Sequence, residues 1–158
     1  MKCVVFVYGE GGHAAQMNRL APKVIKSAKE TFKVISMSDV ETKPLWSNEH
    51  YVTGEARGKY SHMDVFRNTG PIRIVKTLFT ISKQNKIDTI LTTGPGIGVI
   101  AAIYFKLRGS SIIHIETWSR FETKSITGRI MYRLADRFYI QNKSLKSLYP
   151  KSIYSGVL

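Results

Sequence analysis

Residues 8–16 read YGEGGHAAQ and follow directly on CVVFV, residues 3–7. An apolar run rich in β-branched residues behaves as a strand buried on both faces. The three glycines then permit a sharp reversal. From His13 onward Met17, Leu20, Val24, Ile25 and Ala28 recur near helical spacing, with Lys23, Lys26 and Lys29 on another face. The pattern predicts a strand over Cys3–Tyr8 and a helix over His13–Lys29. Strand, glycine turn and helix in immediate succession form the opening unit of a doubly wound α/β sheet.

The alternation continues along the chain. Further strands are predicted at Phe32–Met37, Ile87–Thr92, Ser111–Glu116 and Arg137–Gln141, with a short one at His50–Thr53. Helices are predicted at Pro71–Lys83, Gly98–Leu107 and Ser125–Leu134, with a helical turn at Ser144–Tyr149. Ser38–Lys59 is irregular and carries Pro44, Gly54 and Gly58. The reading is an α/β, Rossmann-like doubly wound parallel sheet covered on both faces, in a single domain over 1–158. No repeat, linker or low-complexity tract interrupts it.

The chain has 158 residues, 43% of them hydrophobic, which suits one compact core. Its 24 basic and 11 acidic side chains leave a net charge of +13. Such a charge speaks to partners rather than fold: nucleic acid, anionic headgroups or diphosphate-bearing substrates. Cys3 is the single cysteine, so an internal disulfide and a multi-cysteine metal site are both excluded. The start resembles no secretory leader, and no run reaches the ~18–20 apolar residues of a spanning helix. A soluble or peripheral protein is expected.

In a doubly wound sheet, ligands bind at the carboxyl ends of the strands. Three sequence-distant segments fall there: Gly9-Glu10-Gly11-Gly12-His13, then Thr93-Gly94-Pro95-Gly96-Ile97-Gly98, then Glu116-Thr117-Trp118-Ser119-Arg120. The first matches G-x-G-x-x-A, a form of the dinucleotide fingerprint, with Asp39 as the ribose-binding acid. Glu10 would place a carboxylate beside the pyrophosphate, which opposes that reading. The glycines also suit a plain tight turn. His13, at the start of the helix, is either a base for a bound hydroxyl or a histidine that only bonds backbone. A helix amino end disfavours a cation, which suits a base. The second loop adds another glycine-rich turn and another helix amino end. Glu116 closes an apolar strand and needs a partner. Arg120 is the nearest in sequence, so the carboxylate forms an ion pair with it, or orients His13 or a sugar hydroxyl. His50, His62 and His114 show no metal-ligand spacing with His13. No carboxylate pair presents a metal site, and no metal or cofactor is expected.

Pro71–Lys83 places Ile74, Val75, Leu78 and Phe79 on one side and Arg73, Lys76 and Lys83 on another. That is a sheet-covering helix with a solvated basic face, or a basic amphipathic helix for an anionic membrane. Val99–Phe105 is apolar nearly all round and is either core or a face awaiting another subunit. The charge alone also admits a basic nucleic-acid-binding module, although no helix-turn-helix, zinc finger or RNA-binding aromatic signature is present.

Across essentially its whole length the chain resembles the PssD/EpsE-like acceptor-side subunits of two-component bacterial polysaccharide glycosyltransferases. These are related to the membrane-anchor subunit of the eukaryotic dolichol-linked chitobiose synthase. The resemblance is carried by GEGGHAAQM (9–17), DTILTTGPGIGV (88–99), IIHIETWSR (112–120), SITGRIMYRLADRFYIQN (125–142) and LYPKSIYSGVL (148–158). It implies the amino-terminal half of a MurG-like, GT-B inverting glycosyltransferase, split into its own chain and inactive alone. A catalytic partner subunit would carry the carboxyl-terminal GT-B half and bind the nucleotide sugar. The acceptor would be a saccharide linked to undecaprenyl diphosphate, in capsule or exopolysaccharide biosynthesis at the cytoplasmic face of the bacterial inner membrane. By the same resemblance His13 and Glu116 are catalytic. Gly9, Gly11, Gly12, Thr93, Gly94, Pro95, Gly96, Gly98, Ser119 and Arg120 bind the acceptor. Residue 10 departs from the family, whose members usually have a small residue there. Eukaryotic relatives begin with a spanning anchor, whereas a strand begins here near residue 2, so membrane contact is expected to be peripheral.

Overall fold

The computed structural model describes residues 1–54 and 70–158. The elements run β1 (Lys2–Val7), α1 (Gly12–Ser27), β2 (Phe32–Ser38), β3 (Glu49–Val52), α2 (Gly70–Gln84), β4 (Thr89–Thr92), α3 (Gly96–Lys106), β5 (Ser111–Ile115), α4 (Ile126–Leu134), β6 (Arg137–Ile140), a 3-10 turn (Lys143–Lys146) and β7 (Ile153–Tyr154). The lower part of the irregular 38–59 segment, and His62, lie outside the described residues.

The strands form one sheet in the order β3-β2-β1-β4-β5-β6-β7. Every pairing is parallel. The order reverses between β1 and β4, so the turns that leave these neighbouring strands diverge to opposite faces. That is the switch point of a doubly wound fold. β7, two residues long, was not legible in the sequence and extends the far edge.

Strict alternation along the strands splits the core in two. Cys3, Val5 and Val7 of β1 face Ile74, Leu78 and Ile81 of α2, Ala101 and Phe105 of α3, and Met131 of α4. Phe6 and Tyr8 face Met17, Leu20 and Ala21 of α1. Trp46 closes this second cluster against both aromatic rings, at centroid distances of 5.4 and 6.0 Å. Because both faces are covered, the central strands carry apolar residues at consecutive positions.

α2 departs from its expected pattern. It buries Ile74, Leu78 and Ile81, but Val75 and Phe79 are 46% and 58% exposed, and Ile72 is 60% exposed. The helix therefore has two apolar stripes, and only one of them meets the sheet. The apolar run 99–105 divides likewise: Ala101, Ala102 and Phe105 are buried, and Ile103 is exposed. Among the described residues, no helix is long and apolar enough to cross a membrane.

Candidate functional site

The site begins at the switch point. Gly11 caps α1 with φ of 71°, and Gly94 turns the chain after β4 with φ of 85°. Both values lie in the left-handed region that glycine adopts without a Cβ penalty. The two turns touch. A Cβ on Gly9 would lie 2.6 Å from Cδ and 2.7 Å from Cγ of Pro95. A Cβ on Gly94 would lie 3.3 Å from Cε1 of His13. The loops close on one another because neither has a side chain in the way.

His13 stands at this contact, in the first turn of α1 and half-buried. Its Nδ1 is 2.8 Å from the carbonyl oxygen of Thr93. A carbonyl only accepts, so Nδ1 carries the hydrogen and the neutral ring keeps its lone pair on Nε2. The Thr93 hydroxyl bonds back to the His13 carbonyl at 3.4 Å. Beneath them the Thr92 hydroxyl accepts the Gly94 N–H at 3.0 Å. The imidazole is thus held in one tautomer by backbone that the second loop fixes. Neither α1 nor α3 has a side-chain cap or an acidic residue in its first turn. Two adjacent helix amino ends therefore meet whatever lies above them.

The third loop is organised differently from the expectation. Glu116 is 3% exposed, and its partner is not Arg120. Its carboxylate accepts from the Tyr149 hydroxyl at 3.1 Å, the Ser125 hydroxyl at 3.2 Å and the Thr117 N–H at 3.0 Å. Ser125 also caps α4 by accepting from the Gly128 N–H at 2.7 Å. The carboxylate therefore sits under the amino end of α4, where helix N–H groups favour negative charge. Arg120 is exposed and donates to the Thr123 hydroxyl at 3.0 Å. Its guanidinium is taken up at the surface, so the pairing expected from sequence proximity does not form. Burial and the adjoining Glu116 carboxylate push the Tyr149 phenol above its ordinary value, which keeps it a hydrogen-bond donor.

The structure thus joins Gly9, Gly11, Gly12 and His13 to Thr93, Gly94 and Pro95 in one wall, with Gly96 opening α3 beside it. Thr127 of α4 comes within 3.7 Å of a Cβ built on Gly94, which ties the third helix to that wall. Gly98 does not line the wall. It is buried against Thr92, where a Cβ would clash with the hydroxyl. Ser119 is exposed and bonds within its own loop to Thr117 at 3.1 Å. Several supports escaped the sequence reading. Gln141 donates to the Glu116 carbonyl at 3.0 Å, and Asn142 to the Trp118 carbonyl at 2.7 Å. A polar pair directly after an apolar strand was the available signal. Tyr149 left none, because its partner is 33 positions away.

His114 is also near. It is 1% exposed, stacks 5.1 Å from the Phe138 ring, and leaves both ring nitrogens without a hydrogen-bond partner. Burial, reinforced by the charge His13 can carry, pushes it down to about 3. It is a neutral core residue.

A family model described as "Oligosaccharide biosynthesis protein Alg14 like" matches residues 4–158. The chain belongs to the Alg14-like family. Among similar proteins, the UDP-N-acetylglucosamine transferase subunit ALG14 of Candida glabrata is 31% identical over 98% of this chain and 77% of its own length. The subunit of the same name from Rattus norvegicus is 29% identical over 97% and 81%. Among solved structures, MurG of Acinetobacter baumannii superposes with a TM-score of 0.65 at 16% identity, over 99% of this Alg14-like chain and 46% of its own. A UDP-N-acetylglucosamine 2-epimerase superposes with a TM-score of 0.71 at 14% identity, over 95% and 44%. These two likenesses concern the fold alone. The Alg14-like chain spans a little under half the length of either structure, and its sheet matches the Rossmann-like half of a GT-B enzyme.

Proposed function

We propose that this chain is the acceptor-side subunit of a two-chain, inverting UDP-N-acetylglucosamine transferase acting on a lipid-linked saccharide. The observation that carries the reading is His13, held by the Thr93 carbonyl with Nε2 free to accept a proton, on a wall made by two glycine turns. Family membership and the names of the relatives supply the reaction class.

In this reading Nε2 of His13 takes the proton of the acceptor hydroxyl as its oxygen attacks the anomeric carbon of the donor sugar. The bond from that carbon to the nucleotide diphosphate breaks on the opposite face, which inverts the configuration. The uncapped amino ends of α1 and α3 face the negative groups of the acceptor. The partner chain binds the nucleotide sugar and closes the cleft, so the single chain is inactive alone. Phe121 and Ile126, 59% and 76% exposed beside the third loop, suit a surface that another chain covers. Glu116 serves as a positioning residue, holding α4 against the wall. The setting expected from resemblance, a bacterial inner membrane with an undecaprenyl carrier and capsule or exopolysaccharide products, stays part of the proposal. The relatives named above are fungal and mammalian and give it no support.

The test is sugar transfer by the chain reconstituted with its partner. His13→Gln is expected to lower kcat by roughly 10²–10⁴-fold, the usual worth of a general base, with complex formation intact. Unchanged turnover in an intact complex would refute the assignment.

A further inference from the structure

One flank of α1 faces the third loop. Gly12, Gln16 and Arg19 stand on it at i, i+4 and i+7. Gln16 is buried and brings its Nε2 to 3.5 Å from the Glu116 carbonyl oxygen. Arg19 lays its guanidinium 5.1 Å from the centre of the Trp118 ring. At Gly12 the flank has no side chain, and a Cβ built there would meet nothing within 4 Å. A gap therefore opens between the start of α1 and the third loop, and His13 follows Gly12 at its edge. The outer side of the same turn is equally clear, because its exposed positions are Gly11, Gly12 and Ala15.

Trp118 borders that gap, and the core does not account for it. Trp46 packs on the α1 side of the sheet, but Trp118 joins neither apolar cluster. It sits between Thr117 and Ser119 in a polar loop. Its backbone is nonetheless fixed. Gln141 donates to the Glu116 carbonyl at 3.0 Å, and Asn142 donates to the carbonyls of Trp118, at 2.7 Å, and Arg120. Three alternate carbonyls of the loop are thus tied to the end of β6. The indole is half-buried, with Arg19 over one face. Among the described residues no carboxylate forms an ion pair with Arg19, so its guanidinium is free to support the ring. A protein partner would first meet Phe121 and Ile126, which stand out at 59% and 76% exposed. Trp118 is recessed beside the gap, where a small polar ligand with one apolar face fits better.

We infer that Trp118 is the stacking surface for the sugar ring of the acceptor, and that Arg19 and Asn142 position it. The inference rests on the acceptor-side reading proposed above and deepens it. The hydroxyl that gives its proton to His13 belongs to a ring held flat on the indole. A pyranose presents C–H bonds on one face, and the negative face of an indole attracts their positive ends while apolar area is buried. The gap beside Gly12 leaves room for that ring between Trp118 and the imidazole. A lipid diphosphate without a sugar has no such face to offer.

The experiment labels this chain alone with 5-fluorotryptophan and pairs it with unlabelled partner. Trp46, in the core, is the internal reference, and Trp118→Phe assigns the second fluorine resonance. With no nucleotide sugar present, a short-chain alkyl diphosphate carrying N-acetylglucosamine is expected to shift the Trp118 resonance and leave Trp46 in place. The same alkyl diphosphate without the sugar should move neither. In transfer assays Trp118→Ala should raise the acceptor KM about tenfold, with kcat and the nucleotide-sugar KM unchanged, the mark of lost uniform binding. Trp118→Phe should restore most of the loss. Arg19→Met should raise the acceptor KM alone, about threefold, and Asn142→Leu should move it in the same direction. An equal shift with the sugar-free diphosphate, no shift with the sugar-bearing one, or an unchanged acceptor KM in Trp118→Ala overturns the inference. So does loss of the complex by a Trp118→Ala chain with an unaltered circular dichroism spectrum, which would make the indole a partner contact. The fluorine spectra need no turnover and keep the test open if Trp118→Ala fails to fold. A wild-type pair that transfers no sugar would sink the proposed function, while a sugar-dependent shift would still support the stacking surface.

Discussion

Gly128 is where the arrangement of the third loop meets its strictest requirement. Inside a helix, glycine to alanine ordinarily stabilises by about 1 kcal/mol. At Gly128 a Cβ would meet Tyr149 Oη at 2.5 Å, Ser125 Oγ at 2.8 Å and Glu116 Oε2 closer still. Either the carboxylate retreats and loses a hydrogen bond, or α4 lifts from the sheet. A hydrogen bond to a charged group contributes ~1.5–3 kcal/mol, and overpacking costs ~1–3 kcal/mol. Against the helical gain, either route leaves Gly128→Ala a net cost of up to about 2 kcal/mol. For a chain of this size that lowers Tm by up to roughly 8 °C. Thermal and urea melts followed by circular dichroism measure it. The same substitution on a Glu116→Ala background should cost at least ~1 kcal/mol less, because the pair is in contact and couples. If Gly128→Ala raises Tm, as at an ordinary helical site, or costs the same on both backgrounds, Glu116 does not lie under α4 as described.

Two further outcomes follow from the same geometry. His114 is held neutral in the fold down to about pH 3 but titrates near 6.5 when unfolded. The unfolded chain therefore binds the extra proton, and this residue's share of stability is complete above pH 6.5 and is lost as pH falls toward 3. The slope is about 1.4 kcal/mol per pH unit. Urea melts of His114→Leu between pH 7 and 4 should show that part of the slope removed; an unchanged slope contradicts the burial. Gly9→Ala drives a Cβ into the Pro95 ring. It should destabilise by about 1–3 kcal/mol and lower transfer in the reconstituted pair, whereas unaltered stability would mean that the two turns do not touch.

Much of this molecule was legible in its sequence, for a physical reason. A parallel strand covered on both faces must be apolar at consecutive positions, and each sheet-covering helix must show a 3.6-residue stripe. CVVFV, TILT and SIIHI announce the one, and 13–29 the other. Glycine-rich turns at strand ends follow from local sterics, so the meeting of the 9–13 turn with the start of the 93–98 loop could be read before any coordinates, although Gly98 itself packs against Thr92 instead. The mistakes lie where partners are distant in the chain. Arg120 was offered as one candidate partner of Glu116 because it is close in sequence, yet the donors the fold brings to the buried carboxylate are the half-buried Ser125 and the buried Tyr149. Val75 and Phe79 were read onto one side of α2 with Ile74 and Leu78, whether for the sheet or for a membrane, but the helix buries only one stripe, and Ile81 rather than Val75 or Phe79 lies on it.

The sequence by itself determined the alternation of strands and helices, the switch-point turns and the excess of positive charge, because each is set by local periodicity, backbone sterics or composition. The tertiary structure alone decided which tautomer His13 holds, which groups satisfy Glu116, and which apolar residues of α2 remain outside. Those depend on what the fold brings within hydrogen-bonding or van der Waals distance, and no spacing along the chain encodes that.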